Sequence, residues 1–578
     1  MFRKANFLVA LLALSLGLSW QVSAQSNAGS ISGDVVDEKQ AAIPGATVTA
    51  RNVETNETRT VQTDGEGRYR IANLPVGAYE LSVEASGFTK YVQLGITLAL
   101  NQPAVVDVAM KTGGVQEVVT VTENAALLNT TNAEVGTRFD ERRLTELPIA
   151  SNRNVYSVAL SAAGVSQLNS GQTSFAGGGT GSTTGVSFSA NGGRIRSNNF
   201  MIDGQDNNDF GVAGSTIPLN NPDAIQEVRL ITNQFSAEYG RNSSAVFNAI
   251  TKAGTNNWHG SAFWFHNDNA LNACSNTNKT GGFCNPNATD PSRRGAPFRI
   301  ENQLGATLGG PLHLPRFGEG GPKYISGKDR TFFFFSIQRW WDRQLGVGTT
   351  LRGAPTEAGR QILRAAAGDL PQVQALLGFL PAAQSPIGTN AIFERNGQRF
   401  TVPLGALTGS QPSAFNDWQI IPRIDHRFTE NNNFNFRYIY QDNDTLGGTA
   451  SQITPPGFSS AQVIRTQGVN MALTSVLSPR LVNEARASYL RFASQTSALT
   501  PSAENIPSIE VVELGLIGFN AAASRTGIGL GVNLPQQSVR NTYQLQDIVS
   551  YTTGNHGFKF GADIRRNQLA QLFKPTTR

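Results

Sequence analysis

The sequence has few cysteines and histidines and no concentration of charge, and these shortages exclude several classes of protein. Its 578 residues include 2 cysteines and 5 histidines. They leave neither a C-x-x-C redox pair nor a set of zinc ligands. The formal net charge of +5 is spread along the chain. Because no basic face or run collects it, we do not expect a nucleic-acid partner.

Catalytic motifs are missing as well. The sequence has no H-E-x-x-H, no G-x-S-x-G and no Walker loop, and the tract Gly177-Gly178-Gly179 lacks the lysine and helix that phosphate binding needs. Asp203, Asp206 and Asp209 do not follow the ligand spacing of a calcium loop. We therefore expect no enzyme activity, no catalytic residues, no metal site and no cofactor.

Long apolar runs are confined to the start of the chain. Arg3 and Lys4 precede an apolar run from Phe7 to Leu18, and Val22-Ser23-Ala24 is a small-residue cleavage site. The run is too short to cross a hydrocarbon layer of about 30 Å. We therefore predict that residues 1–24 are a signal peptide, which makes the protein an exported one.

Residues 25–112 are predicted to form a small antiparallel β-sandwich. Short alternating runs such as Ser32 to Val36 and Tyr79 to Val83 are separated by turn residues such as Asp64-Gly65. The pattern I-P-G-A-x-V-x-A, T-D-x-x-G-x-Y and L-P-x-G-x-Y-x-L, ending in Gly87-Phe88, resembles the carboxypeptidase regulatory-like domain. That resemblance implies a transthyretin-like, carbohydrate-binding-like fold without peptidase activity. We expect a spacer or partner-docking role.

The most informative segment reads N-G-G-R-I-R-S-N-N-F-M-I-D-G-Q-D-N-N-D, from Asn191 to Asp209. It is almost too polar for a core and too ordered for a linker. Such a segment suits a stopper inside a water-filled pore, where it is bonded to charged neighbours. The residues that we assign to this motif are Arg194, Asn198, Asn199, Asp203, Gly204, Asp206, Asn207, Asn208 and Asp209.

Neighbouring strings strengthen this interpretation. They are Leu147-Pro148 with Arg153-Asn154, Ala237 to Arg241, Thr251 to Asn256, and His259-Gly260. Together, in this order, they resemble the plug of TonB-dependent outer-membrane receptors of the Oar-like branch. The resemblance implies an α+β plug over residues 129–252, contact with outer-membrane lipid, an unidentified extracellular ligand and a TonB-type periplasmic energy-coupling partner. The alternative is an Asn/Gly-rich loop in another β protein.

A β-branched strip precedes the expected plug, within a linker at residues 113–128. Glu117, Val118, Val119, Thr120, Val121 and Thr122 form an extended segment that could add itself to the edge of a partner's sheet. The resemblance favours a TonB box at this position. The alternative is that the strip is the last strand of the sandwich, and the sequence hardly separates the two.

From residue 253 onward the pattern changes to long alternating strands. Phe434, Phe436 and Tyr438 fall on one face, with Asn435 and Arg437 on the other. Long links at residues 268–297, 343–416, 444–465 and 495–538 alternate with tight turns at 429–432, 478–480 and 553–556. Long outer loops and short periplasmic turns are typical of outer-membrane barrels. An all-β chain with about nine strands of a transmembrane antiparallel barrel over 253–578 is therefore predicted.

Plugged barrels have about 22 strands, so on the order of 450 further residues would be needed. We therefore expect the chain to be a fragment.

Cys274 and Cys284 lie in the first long link, and in an oxidising compartment a disulfide between them would stabilise the fold by roughly 2–3 kcal/mol.

The leading functional hypothesis is an outer-membrane TonB-dependent receptor or transporter. The alternative is a surface adhesion or envelope-organising barrel protein without active transport.

Overall fold

The computed structural model describes most of the chain, with gaps. The residues that it describes are 29–100, 103–113, 118–121, 133–147, 153–167, 188–211, 215–240, 242–280, 282–315, 324–345, 349–409, 412–447, 459–501, 534–553 and 556–572. The predicted signal peptide, Glu117, Thr122 and the Gly177–Gly179 tract lie outside them. Among the described residues, no helix is long and apolar enough to cross a membrane.

The first unit is a β-sandwich. Its strands are β1 (Gly29–Asp37), β2 (Thr47–Asn52), β3 (Thr58–Gln62), β4 (Arg68–Leu74), β5 (Gly77–Glu84), β6 (Lys90–Leu98), β7 (Pro103–Val105), β8 (Val108–Met110) and β9 (Val118–Val121). One sheet has the order β4-β1-β7, with β8 also paired to β1, and the other has the order β3-β2-β5-β6-β9. Alternating residues such as Ile31, Val48 and Leu81 are buried between the sheets. Burial also raises the pKa of the Tyr69 hydroxyl, which donates to the Val106 carbonyl at 2.7 Å.

The predicted TonB-box strip contributes β9 to this sandwich. Val118 pairs with Lys90 and Val121 with Gln93, in a parallel arrangement at the edge of the sheet. This placement is the one that the alternative interpretation of the strip describes. A partner-binding role for the strip remains a prediction.

The second unit, which we call the inner domain, spans residues 133–252. Its elements are β10 (Val135–Asp140), α1 (Glu141–Glu146), β11 (Val165–Gln167), β12 (Phe188–Ala190), β13 (Asn199–Ile202), β14 (Gln205–Asp206), β15 (Ile225–Asn233) and β16 (Val246–Thr251). The main sheet has the order β10-β15-β16-β13-β14. Its core includes the rings of Tyr156, Phe188, Phe200 and Phe247, with the Tyr156 and Phe200 centroids 5.3 Å apart.

The third unit contains the long strands. Its elements are β17 (His259–Asp268), α2 (Asn276–Thr280), β18 (Arg299–Pro311), β19 (Leu314–Pro315), β20 (Tyr324–Ile325), β21 (Thr331–Leu345), β22 (Thr349–Pro355), α3 (Glu357–Ala367), α4 (Pro371–Phe379), β23 (Ser385–Arg395), β24 (Gln398–Gly409), β25 (Pro412–Thr429), β26 (Asn432–Leu446), β27 (Ser460–Ser478), β28 (Leu481–Ala498), β29 (Gln536–Thr553) and β30 (His556–Leu572).

Long strands of this unit form one antiparallel sheet. In the described part of the chain its order is β17-β18-β21-β25-β26-β27-β28-β29-β30. The nine strands lie near the positions that the alternation predicts. Their edges, β17 and β30, are not paired with each other among the described residues, so the sheet is not a closed cylinder there.

The long link between β21 and β25 is folded rather than irregular. β22, β24 and β23 form a small sheet, against which α3 and α4 pack through Leu363, Leu376 and Leu380. Thr356 caps α3 by accepting from the Gly359 amide at 3.2 Å. We call this the loop unit. The loop unit is not predicted in the sequence analysis, although a threonine before an amphipathic run is a recognisable helix start.

The sandwich lies against the tight-turn end of the nine-stranded sheet. Asn56 donates to Asp329 at 2.8 Å, and Asn433 donates to Glu57 at 2.5 Å. Asn56, Glu57 and Asp329 lie between strands, and Asn433 lies at the start of β26.

Candidate functional site

The polar motif predicted from the sequence forms a tight hairpin between β13 and β14. Met201 pairs with Asp206 and Ile202 with Gln205, which leaves Asp203 and Gly204 as the turn. Both turn residues have positive φ, 48° and 72°. An Asp-Gly pair is favoured in such a two-residue turn because both residues tolerate the left-handed region. The hairpin presents its polar side chains to the nine-stranded sheet.

Asp203 joins the inner domain to two strands of that sheet. Its carboxylate accepts from the Thr251 amide at 2.9 Å and from the Arg437 guanidinium at 2.8 Å. Arg423 Nη1 lies 3.9 Å from the same carboxylate and donates to the Thr251 carbonyl at 2.8 Å. Arg437 is 1% exposed. Because Arg437 is buried, its positive charge needs the Asp203 carboxylate as a counter-charge. The side-chain oxygen of Gln205 also accepts a hydrogen bond from it.

The next two aspartates of the motif repeat this arrangement on other strands. Asp206 lies 3.5 Å from Arg565 on β30, and Asp209 forms an ion pair with Arg540 on β29. The Asp206 amide also donates to Gln544 at 3.0 Å. Aspartates three residues apart thus reach separate cations on β26, β30 and β29.

Gln205 contacts the backbone of the sheet. Its Nε2 donates to the Val469 carbonyl at 3.2 Å and to the Tyr489 carbonyl at 3.0 Å. Such a close approach requires a small neighbour, and Gly468 supplies it. A Cβ added at Gly468 would lie 3.2 Å from Ile217 Cδ1 of the inner domain and 3.6 Å from the Gln205 oxygen.

Among the described residues, asparagines of the motif form hydrogen bonds within the inner domain and not with the sheet. Asn207 donates to the Tyr156 hydroxyl at 2.7 Å and accepts from the Ile217 amide at 2.8 Å. Burial raises the pKa of Tyr156, so its hydroxyl stays neutral. Asn208 accepts from the Phe200 amide at 2.9 Å, and its own amide group donates to Asn199 at 2.8 Å.

Two motif residues lie away from the sheet contacts. Asn198 donates to the Phe188 carbonyl at 2.8 Å inside the inner domain. Arg194 is exposed, and the structure does not bring it together with the three aspartates.

Other interface residues were not assigned to the site from the sequence. Asn220 donates to Asp417 at 3.2 Å, and Asn221 donates to Ser336 at 2.9 Å. Glu238 accepts from Lys559 at 3.2 Å. Alternation along the strands places such residues on the polar face, but only the tertiary structure decides which inner-domain group each one meets.

Among the described residues, the ion pairs between the inner domain and the sheet have their acids on the inner domain and their bases on the sheet. The inner domain contributes carboxylates from Asp203, Asp206, Asp209 and Glu238, and the sheet contributes guanidinium and ammonium groups. Such pairs fix the orientation of two surfaces, and removing one partner leaves a buried charge uncompensated. The arrangement is suited to fixing the orientation of the inner domain against the sheet.

A cavity of about 540 Å³ lies where the sandwich, the inner domain and the sheet meet. Its lining includes Glu57, Lys252, Arg423, Asn435 and Thr474. The inner-domain hairpin borders it through Asp203. The cavity is therefore on the tight-turn side of the interface.

The two cysteines lie in the link between β17 and β18. Cys274 and Cys284 are joined by a disulfide, with their Cα atoms 6.2 Å apart.

The family of this chain follows from comparison with known proteins. The family model for an outer membrane beta barrel domain matches residues 250–578. The chain belongs to this outer-membrane β-barrel family. The protein is therefore located in the cell outer membrane, and the nine-stranded sheet is part of its barrel domain. A second model, the carboxypeptidase regulatory-like domain, matches residues 30–111 and confirms that resemblance.

The curated relatives include a transporter. The chain is 29% identical over 318 residues to the TonB-dependent transporter Oar of Myxococcus xanthus, which confirms the Oar-like resemblance. The match covers 52% of this chain and 27% of that protein. The chain thus spans about a quarter of the length of this relative. The relative is a transporter and not an enzyme, in agreement with the expectation of no enzyme activity.

Solved structures of outer-membrane proteins also align with the chain. The outer membrane transporter YddB from Escherichia coli aligns with a TM-score of 0.45 and 11% identity, covering 75% of this chain and 48% of that one. The ferric enterobactin receptor PfeA from Pseudomonas aeruginosa aligns with a TM-score of 0.43 and 9% identity, covering 76% and 50%. The family assignment depends on the sequence match and not on these alignments.

Proposed function

We propose that the protein is a TonB-dependent receptor or transporter, in which the inner domain is a plug that blocks the barrel. The interface of Asp203, Asp206 and Asp209 with barrel arginines carries this proposal. Buried ion pairs fix register and orientation but are readily replaced by water once the surfaces part. A domain held in this way can be displaced without unfolding its own apolar core.

Energy coupling is assigned to the strip from Glu117 to Thr122. Its central residues are β-branched, and as β9 they form the edge of the sandwich, so a partner strand can pair beside them or replace β6. A TonB-type protein in the periplasm is the partner whose pull would reach the plug through the linker. The ligand is an unidentified molecule that enters between the outer loops.

A second candidate function is adhesion or envelope organisation without transport. The loop unit favours it, since a folded sheet with two helices on the long-loop side offers a defined surface for contacts. In that case the plug would stay in place in energised cells.

Plug movement distinguishes the two functions without knowledge of the ligand. Ile217 is 1% exposed and packs toward Gly468 of the barrel, so Ile217→Cys reports separation of plug and wall. Leu230→Cys is the matched control, because Leu230 is equally buried within the plug itself. Both variants of the full-length protein are produced in cells with and without TonB and treated with a membrane-permeant maleimide.

If the protein is a transporter, maleimide labelling of Ile217→Cys should rise in energised cells that contain TonB, while labelling of Leu230→Cys should stay low. Labelling of Ile217→Cys that does not depend on TonB or on the proton gradient would reject energy-coupled plug movement and favour adhesion. The native cysteines form a disulfide and do not react.

A further inference from the structure

The sandwich contacts the nine-stranded sheet at two places that are far apart along it. Beside β21, Asn56 of the sandwich donates to Asp329 at 2.8 Å. Near the other edge of the sheet, Asn73 of β4 donates to Ser550 of β29 at 3.5 Å. Four strands, β25, β26, β27 and β28, separate β21 from β29, so at about 4.8 Å per strand the two places are about 24 Å apart along the sheet. A single domain that contacts both places therefore extends across the tight-turn end of these strands.

Further contacts lie between these two places and beyond them. Asn433 of β26 donates to Glu57 of the sandwich at 2.5 Å. Arg70 of β4 lies beside Gly557 of β30, where an added Cβ would be 3.0 Å from the guanidinium. The sandwich thus meets the sheet at its tight turns from β21 to β30.

Polar groups make these contacts, whereas the apolar core of the sandwich stays separate. In the described part of the chain, that core consists of sandwich residues alone. The core of the inner domain, by contrast, also includes Phe334, Ile421 and Ile439 of the sheet. Domains joined by polar interfaces commonly move relative to each other. The sandwich is therefore attached less firmly than the inner domain, and moving it away exposes no part of its own core.

The cavity of about 540 Å³ lies between the sandwich and the other two units. Val53 and Pro75 line it from the sandwich, Ile250 from the inner domain, and Ala472 and Thr474 from β27. Because the sandwich forms one of its walls, displacement of the sandwich would open this cavity to the solvent at the tight-turn end.

We propose that the sandwich is a lid on the tight-turn end of the barrel domain, and that it opens by moving away as a rigid body. Short turns lie on the periplasmic side of outer-membrane barrels, so the lid closes the periplasmic end. A solute that crosses the barrel domain has to pass this lid as well as the inner domain. The inference depends on the contacts of the sandwich and holds whichever of the two functions the protein has.

Opening is measured on the purified full-length protein in detergent, with a polyethylene glycol maleimide that is far larger than the cavity. The reporter is Ala472→Cys, because Ala472 lines the cavity and is 4% exposed. Two matched reporters detect unfolding instead. They are Ala50→Cys in the core of the sandwich and Ala249→Cys in the core of the inner domain, and both alanines are 0% exposed.

Each reporter is combined with the latch variant Asp329→Gly/Asn433→Ala/Ser550→Ala. These substitutions remove the partners of Asn56, Glu57 and Asn73 on the sheet and leave the sandwich itself unchanged. Glycine is chosen at position 329 because the native residue has a φ of 61°.

The control variant makes the same kinds of substitution away from the sandwich. It changes Asn396, which also has a positive φ, and two residues that are bonded to other strands of the sheet. The control is Asn396→Gly/Ser475→Ala/Asn483→Ala. Assembly of each variant is checked by the heat-sensitive gel shift of the folded barrel.

In the latch variant, Ala472→Cys should react at least about tenfold faster than in the parent, because three hydrogen bonds of the closed state are lost. Ala50→Cys and Ala249→Cys should react as slowly as in the parent, and the control variant should change none of the three rates. If the latch variant does not assemble, Asn433→Ala alone should still raise the rate at Ala472→Cys about threefold.

An unchanged rate at Ala472→Cys in the latch variant would overturn the proposal. A faster reaction of Ala50→Cys would also overturn it, since the sandwich would then unfold and not move as a body. A faster reaction of Ala249→Cys would do the same, because the maleimide would then reach the cavity through an unfolded inner domain.

Discussion

The Arg437 guanidinium on β26 donates to the Asp203 carboxylate at 2.8 Å, although the two residues are 234 positions apart in the sequence. One comes from a tight turn of the inner domain and the other from the polar face of a barrel strand. This pair, with Arg423 beside it, orients the hairpin against the barrel wall. The same relationship explains why a segment so rich in Asp and Asn is ordered.

Asp203→Asn tests this relationship. The substitution keeps the shape of the side chain but leaves Arg437 buried without its counter-charge. We expect it to weaken the docking of the inner domain on the sheet by about 3–5 kcal/mol of free energy. Limited proteolysis of the folded barrel should cut the inner domain faster in the variant. Glu146→Gln, which breaks the exposed pair with Arg142, should leave the proteolysis rate of the inner domain unchanged, because exposed ion pairs contribute little to stability. Equal protection of parent and Asp203→Asn would show that the pair does not hold the inner domain.

Gly468→Val tests the close approach between the inner domain and the nine-stranded sheet. A Cβ at this position would already lie 3.2 Å from Ile217 Cδ1, so the larger side chain should destabilise docking by about 1–3 kcal/mol through overpacking. Trimming the opposing residue in the double variant Gly468→Val/Ile217→Ala should recover part of that loss. The measurement is again the proteolysis rate of the inner domain. If the inner domain of the double variant is cut faster than that of either single variant, the strain does not come from the contact between these two residues.

The sequence predicts the strands of this fold better than it predicts their partners. Alternation put Arg437 and Asn435 on the polar face of a strand, because one face of a membrane strand must be apolar. The Asp203-Gly204 turn follows a local rule, because few residue pairs tolerate two positive φ angles. No local pattern could pair Asp209 with Arg540, since that contact depends on how two units pack. The strip at β9 shows the same limit, because a β-branched run suits its own sandwich as well as a partner.

Val119→Pro separates the two roles of the strip. Proline removes a backbone donor, so it should weaken binding of the full-length protein to a purified TonB C-terminal domain by about tenfold or more if the strip is the partner's docking strand. Isothermal titration calorimetry gives the affinity, and thermal unfolding of the same sample reports on the sandwich. Unchanged affinity together with a destabilised sandwich would assign β9 to a purely structural role.

Phe436→Lys and Asn435→Lys test the orientation of the barrel wall. In the sheet, Phe436 is paired with Ile424 and Met471, both exposed and apolar, whereas Asn435 borders the cavity beside the inner domain. A lysine in the apolar band costs about 2–4 kcal/mol near the middle of the membrane, and one in the lumen costs far less. Phe436→Lys should therefore impair assembly of the barrel much more than Asn435→Lys does. The heat-sensitive gel shift in outer-membrane fractions measures the folded amount of each. Because a slip of one residue would exchange the two faces of the strand, a greater loss for Asn435→Lys would mean that the register of β26 is wrong.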